Sequence, residues 1–493
     1  MTMTTIRVPV AQSEMPPGAE GDRFLSRAAC NALLAKVVSY VRDQGSTTLA
    51  LQSSWIGNLR WARNAVSSAG DVRDNALYLR RALSNDEWVR VTFNMIEDQH
   101  LEAAVRRADR LLRFRKLPPH QYWQFDHAIS EPVAHAIGVS REDNPYEPML
   151  TPAIWSDRTF NLDDESRVAA MQALVAPTRD AGMLSAGYIQ VGAYGRAVLS
   201  QGRSQYYPFT TAQYSVTVRD PKGTGSGWAG MDHHDWGQID APKLSAVALE
   251  KCLTSRNPVA LEPGHYTAIL EPQAVCDLLR PLFEAGGLPT HRVFAEGQVN
   301  REQVPFWLGP QQSKIGTRVM DERITITANP MDDDLGFPPF DAEGESILAT
   351  TWIDHGVLQN LAYDRAYAIQ TLGRNAGMLN SGAFKMSGGT TTVDEMIANT
   401  KRGLLVTRFS GVMMLDLQSM QMTGYTRDGL WLIENGAIKK PVKNFRFVDS
   451  PLFALNKVLA LGAPRRVFSP QAPVVVPPIA VQDFNFASLA DAV

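Results

Sequence analysis

Two imidazoles one turn apart on a helix form a zinc site, because residues three or four apart share a helix face. The nine histidines of this chain stand at 100, 120, 127, 135, 233, 234, 265, 291 and 355, and no two are three to five residues apart. The nearest approach to a metal array is His127, Glu131 and His135. Pro132 interrupts the helix they would need, since proline lacks a donor and disfavours helix in the residue before it. His233-His234-Asp235 is more conspicuous, in a loop that also carries Trp228 and Trp236. Adjacent imidazoles with carboxylates could order the loop, contact a substrate or reach one ion. Trp228, His233, His234 and Trp236 are therefore the candidate substrate-binding residues. No catalytic residue and no metal ligand is assigned to this chain.

Other patterns carry less chemistry. Gly225-Ser226-Gly227-Trp228-Ala229-Gly230 matches a dinucleotide glycine motif, but no helix opens at its last glycine, as that motif requires. Asp332-Asp333-Asp334 and Phe340-Asp341-Ala342-Glu343-Gly344 bring carboxylates together. Such groups can hold a hard cation or act as an acid/base pair. Gly336, Pro338 and Pro339 mark the stretch as a turn-rich loop, where carboxylates usually cap and solvate. No phosphate-binding loop, nucleophile elbow or His-Glu-x-x-His is present.

The elements that would position these groups divide the chain in two. At 493 residues, with 44 % apolar and 20 % charged residues, it is long enough for more than one domain. Residues 1–22 are a polar tail. Residues 23–44, 97–112, 164–176 and 242–253 repeat apolar groups at helical spacing. Pro177 marks the end of the third helix, and Asp240 with Pro242 marks the start of the fourth. Strands are expected at 47–51, 61–66, 75–82, 87–94, 187–198 and 206–219. Residues 116–163 read as irregular connection. Beyond residue 256, short alternating segments dominate, at 266–270, 323–328, 404–409, 412–417, 430–434 and 437–442, with a short helix at 394–400. Asn435-Gly436 is a hairpin signal, because both residues tolerate positive φ. Val474-Val475-Val476 precedes two prolines and is expected at an edge or as a docked segment. The fold class is α+β: an N-terminal α/β region over 1–255, with a possible break near 116–163, then a mainly antiparallel barrel- or sandwich-like β domain over 256–493.

The net charge of −3 excludes a broad phosphate-neutralising surface. The densest basic cluster, from Arg106 to Lys116, reads as a solvated helix face. Cys30, Cys252 and Cys276 are dispersed, which fits reduced thiols. No signal-peptide pattern or apolar run of membrane-spanning length occurs. The expectation is a cytoplasmic protein that touches neither membrane nor nucleic acid.

The order of several motifs adds a family. Phe93-Asn94-Met95-Ile96 precedes the second helix. Phe340-Asp341-Ala342-Glu343-Gly344 is followed by Ile353-Asp354-His355-Gly356-Val357-Leu358. Then come Gly389-Thr390-Thr391, Lys401-Arg402-Gly403-Leu404-Leu405-Val406-Thr407, Thr423-Gly424 and Ile433-Glu434-Asn435-Gly436. Together they resemble the TldD/PmbA family across some 400 residues. The resemblance implies an N-terminal α/β portion, a C-terminal antiparallel β portion and cytoplasmic peptidase function. It also implies two subunit types. A TldD-type subunit holds zinc through two histidines and a cysteine, and a PmbA/TldE-type subunit lacks these ligands and helps enclose the proteolytic chamber. The aligned segment here, residues 268–282, offers Arg280 and Pro281 about where the family's His-Glu would begin. Arginine stays protonated and is no usual zinc ligand, and no cysteine follows Cys276. The resemblance thus implies a PmbA/TldE-like, non-catalytic subunit of a metallopeptidase acting on peptides. Zinc is expected on a TldD-type partner and no cofactor on this chain. Two alternatives remain: a self-sufficient hydrolase with a repurposed site around His233 and His234 in specialised metabolism, or a regulatory binding protein such as a gyrase modulator.

Overall fold

The computed structural model describes residues 23–42, 45–82, 88–114, 152–200, 203–283, 289–290, 306–309, 312–340, 347–363 and 382–490. The His127, Glu131 and His135 trio, residues 341–344 and the polar stretch 1–22 lie outside them.

The N-terminal region is built on one sheet. Its elements are α1 (Arg27–Ser39), β1 (Ser46–Ala62), β2 (Ala65–Ala82), β3 (Trp88–Phe93), α2 (Asp98–Phe114), α3 (Asp157–Phe160), α4 (Asp164–Asp180), β4 (Leu184–Ser200), β5 (Arg203–Arg219), β6 (Ser226–His233) and α5 (Ala241–Thr254). The strands lie in the order β3-β2-β1-β4-β5-β6, antiparallel throughout. Side chains alternate between faces along each strand. In β1, Leu49, Leu51, Trp55, Leu59 and Trp61 face the helices, while Ala50 faces Phe340 of the C-terminal region.

Several local expectations change here. Residues 61–66, expected as one strand, straddle the β1–β2 turn, where Arg63 and Asn64 take φ of 50° and 64°. The short strands expected at 47–51 and 75–82 are parts of paired strands of 17 and 18 residues. Pro177 does not end α4, which runs on to Asp180. Met171, Leu174, Val175 and Thr178 bury one continuous face there. That burial outweighs the single backbone bond the proline omits. Asp240 does cap α5, accepting from the Lys243 N–H at 3.0 Å.

The C-terminal region starts with β7 (Gly264–Leu270) and α6 (Pro272–Leu279), followed by a 3₁₀ turn at Arg280–Phe283. Further on come β8 (Ile326–Ala328), β9 (Thr350–Asp354), β10 (Val357–Leu358), β11 (Phe384–Met386), α7 (Val393–Ala398), β12 (Arg402–Asp416), β13 (Gln421–Glu434), β14 (Ala437–Pro441), β15 (Phe445–Asp449), α8 (Pro451–Ala454), β16 (Val458–Leu461), β17 (Arg465–Arg466), β18 (Val474–Val476) and β19 (Ile479–Leu489). Strands β12, β7, β19, β15 and β13 pair in sequence, and β13 pairs back to β12, closing a five-stranded barrel. Closure removes the free edges an open sheet would leave. The barrel wall shares one large core with α6 that includes Leu270, Cys276, Leu279, Leu404, Phe409, Phe447 and Phe484.

Asn435 and Gly436 make the β13–β14 turn with φ of 51° and 77°, as their residue types require. The segments expected at 404–409 and 412–417 are one strand. The expected strand at 323–328 shrinks to β8, because Asp321 holds the Arg323 backbone and guanidinium at 3.0 and 2.8 Å. Val474–Val476 is no edge. It is paired on both sides, parallel to β11 and antiparallel to β17, and fully buried. Its three residues keep their N–H donors, and the prolines fall just beyond the ladder.

Candidate functional site

Strand β6 is an edge of the N-terminal sheet, and its alternation decides what meets the C-terminal region. Ala229 joins the helix-side core. On the opposite face, Trp228 and Asp232 meet the segment around β17. The Trp228 ring lies edge-on to Phe468, with centroids 6.0 Å apart, and the Arg408 guanidinium carbon sits 4.9 Å from its centroid. Arg408 in turn donates to Asp428 at 2.7 Å. Trp228 is 9 % exposed. Asp232 is buried, accepting from Arg466 Nη2 at 3.0 Å and from the Ser469 N–H. Burial pushes its carboxyl pKa up, against the pull of Arg466. Arg466 also donates to the carbonyls of Asp334 at 2.6 Å and Leu335 at 3.0 Å. One guanidinium therefore ties β6, the acidic loop and β17 together.

The two histidines follow at the end of β6. Their ring centroids are 4.3 Å apart. His233 Nδ1 accepts from the Asp235 N–H at 3.0 Å. The His234 carbonyl accepts from Thr159 at 2.9 Å and Thr210 at 2.8 Å, so side chains from α3 and β5 hold the turn. Burial first, then the His234 and Arg466 charges, push the His233 pKa down to about 4. Burial and Arg466 also lower His234. Both rings are thus neutral at pH 7. His234 Nδ1 is buried without a hydrogen-bond partner among the described residues. Gly336 comes close here: a Cβ at that position would lie 3.7 Å from His234 Nδ1. Asp235 caps the 3₁₀ turn Trp236–Gln238, accepting from Gly237 N–H at 3.0 Å and Ser156 Oγ at 2.8 Å. Trp236 is half-buried, edge-on to Tyr214 at 6.4 Å.

Two of the acidic loop's three aspartates share one lysine. Lys385 Nζ donates to Asp332 at 2.9 Å and to Asp334 at 2.8 Å. Asp333 adds a favourable charge toward His234. Among the described residues, no group of three or more His, Cys, Asp or Glu side chains converges as a metal would require.

Helix α6 meets the same junction from the barrel side. Gln273 Nε2 donates to Asp277 at 2.9 Å and to the Phe468 carbonyl at 3.2 Å, and Gln273 accepts from the Phe468 N–H at 3.1 Å. Asp277 also accepts from the Phe409 N–H at 2.9 Å, and burial raises its pKa to about 6. Arg280 donates to Ser469 Oγ and to the Ala472 carbonyl, the latter at 3.1 Å. Cys276 is buried in the barrel core, and desolvation pushes its thiol up to about 12. Zinc needs deprotonated thiolates or neutral imidazoles. A guanidinium committed to Ser469, a core thiol and a hydrogen-bonded carboxyl do not fit it.

Four residues of this junction, Arg408, Asp428, Arg466 and Ser469, carried no readable sequence signal. Each works through a partner more than a dozen positions away. Two open cavities lie elsewhere. One of about 460 Å³ is lined in part by Arg23, Ser53 and Arg73, the other of about 420 Å³ by His265, Lys457 and Asp483.

Residues 263–488 match the PmbA/TldA metallopeptidase C-terminal domain. The C-terminal part of this chain is thus similar to that family's C-terminal domain. It is 26 % identical over 274 residues to the Metalloprotease TldD homolog of Haemophilus influenzae, a match covering 51 % of this chain and 54 % of that protein. The chain thus spans about half the length of the curated relative it matches. The fold is similar to a crystal structure from Bacteroides thetaiotaomicron named as a modulator of DNA gyrase. That likeness has a TM-score of 0.74 at 18 % identity and covers 93 % of this chain and 99 % of that one. It is also similar to TldE from Thermococcus kodakarensis, with a TM-score of 0.70 at 15 % identity, covering 92 % and 99 %. Among the described residues, no helix is long and apolar enough to cross a membrane.

Proposed function

We propose that this chain is the PmbA/TldE-type, non-catalytic subunit of a cytoplasmic metallopeptidase, and that peptide bonds are cut on a zinc-bearing TldD-type partner. The observation that carries this reading is the state of α6 and the turn after it. Where the family's zinc ligands would begin, Arg280 is bonded to Ser469 and Ala472, and Cys276 is part of the barrel core. Arg280 ties the turn after α6 to the segment at Ser469–Ala472, and Cys276 packs in the barrel core, so neither is set up as a reactive centre. In this reading the chain closes the chamber and orients the peptide, with His233, His234 and Trp236 as its half-buried contacts. Trp228 reaches a peptide only through its packing on Arg408 and Phe468.

Co-purification with a candidate TldD-type chain tests this. A stable heterodimer, with stoichiometric zinc that follows the partner, is the expected result. A lone chain that ignores the partner would refute it. The unpartnered Nδ1 of His234 favours one rival, a self-sufficient site on this chain. That rival requires metal bound by the isolated protein and lost in His234→Ala.

A further inference from the structure

Strand β2 is only half covered. On one side it pairs with β1 along its whole length. On the other, β3 pairs only with Leu77 to Ala82. Residues 65–76 have no outer neighbour among the described residues. At about 3.4 Å per residue this free edge is roughly 40 Å long. In an antiparallel strand, alternate residues turn their N–H and C=O groups away from the paired neighbour. Natural edges are usually blunted by proline, lysine, a bulge or a cover. This one runs Ala65-Val66-Ser67-Ser68-Ala69-Gly70-Asp71-Val72-Arg73-Asp74-Asn75-Ala76, without proline or lysine, and its charged residues, Asp71, Arg73 and Asp74, all stand toward the cavity end, leaving 65–70 uncharged. Its register with β1 shifts only near the turn, between Arg60 and Trp61. Residues 65–74 are all exposed, Val66 at 44 % and Val72 at 53 %.

One end of this edge opens into the 460 Å³ cavity, lined by Arg23, Ser26, Ser53, Arg73, Asp74 and Asn75 among others. Arg23 stacks 4.1 Å over Trp55, which fixes its guanidinium at the cavity wall. Asn75 presents a buried amide oxygen with no hydrogen-bond partner. Edge and cavity are contiguous, since Arg73, Asp74 and Asn75 belong to both.

We propose that this edge binds an extended peptide as an added strand, with the peptide's C-terminal carboxylate seated between Arg23 and Arg73. A row of main-chain donors and acceptors recognises polypeptide backbone and tolerates many sequences. The two guanidiniums select a carboxylate at the end of the row. The cavity lies just short of the point where β3 starts to occupy the edge, so an added strand must end or bend there. A second copy pairing antiparallel along the whole edge, residue 65 opposite 76, would drive its own Arg63-Asn64 turn against the end of β3, which disfavours that arrangement. The inference rests on the reading of this chain as a peptide-handling subunit and adds a second peptide site, at the side of the sheet opposite β6.

The test uses the full chain alone and a fluorescein-labelled, twelve-residue Ser/Thr/Val peptide with a free C-terminus, followed by anisotropy. Two further probes carry N-methyl groups on alternate amides, one set per edge of the peptide strand. One set should weaken binding about tenfold or more, through loss of several hydrogen bonds, and the other should not. C-terminal amidation and Arg73→Ala should each weaken it several-fold, and Arg73 is exposed enough for the fold to survive. Amide hydrogen exchange should slow at alternate residues of 65–76 when peptide is added. Equal binding of both methylated peptides, no binding at all, or protection of this edge by a TldD-type partner instead of by peptide would each overturn the proposal. Heterodimer formation is a separate measurement, so failure of the subunit reading is distinguishable from failure here.

Discussion

Replacing Arg466 with methionine isolates the tie between the two regions. Arg466 makes three hydrogen bonds, to Asp232 at 3.0 Å and to the Asp334 and Leu335 carbonyls at 2.6 and 3.0 Å. Methionine keeps most of the stem packing but leaves the Asp232 carboxylate buried, with only the Ser469 N–H donating to it. Breaking one side of a buried pair costs about 3–5 kcal/mol. The Asp334 residue is exposed and its carbonyl can rehydrate, so a loss near the lower end, about 3 kcal/mol, is expected. Adding Asp232→Asn to the Arg466→Met variant should then restore roughly 2 kcal/mol, because a neutral amide oxygen still accepts from Ser469 without a stranded charge. The sign of that second step is the discriminating feature. Urea unfolding, followed by tryptophan fluorescence and far-UV circular dichroism, reads both steps. Arg466→Met within about 0.5 kcal/mol of wild type, or Asp232→Asn adding to the loss, would refute the account of the junction.

Three further outcomes follow from the same contacts. Asp277 has a folded pKa of about 6 against an ordinary 3.8, so the folded state binds the extra proton between those values. Stability should therefore fall by about 2–3 kcal/mol as pH rises from about 4 to about 6 and then level off, and Asp277→Asn should flatten that slope in pH-dependent urea melts. Gly436→Ala should cost about 1–2 kcal/mol, because φ is 77° and the new Cβ would meet the Ala398 carbonyl at 2.7 Å; thermal melts measure it. In an assembled heterodimer, Arg280→Ala should lower thermal stability while leaving zinc content unchanged, as metal analysis would show.

Much of the architecture is legible wherever a residue's neighbours in sequence are also its partners in space. The Asp240 cap, the Asn435-Gly436 turn and the amphipathic α2 are of this kind, each decided within about one turn of chain. Strand lengths are less legible. Residues 61–66 alternate like a strand, yet the turn falls inside them, because Arg63 and Asn64 reach positive φ without a glycine to announce it. Val474–Val476 reads as an edge because prolines follow it, while its pairing to β11 and β17 is a long-range matter. At the candidate site, the order of motifs points to the family, and the residue types at 268–282 point away from zinc.

The sequence by itself determined the α+β class, the resemblance to the TldD/PmbA family and the lack of zinc-ligand spacing, because these depend on residue types and local order. Only the tertiary structure decided what Arg280, Asp232, Trp228 and the histidine pair do. Burial and distant partners set their roles: Ser469 for Arg280, Arg466 for Asp232, Phe468 and Arg408 for Trp228, and Thr159 and Thr210 for the turn at His234. Hydrogen bonding and desolvation act through space, and in this chain the contacts that matter at the junction span up to some 237 residues of sequence.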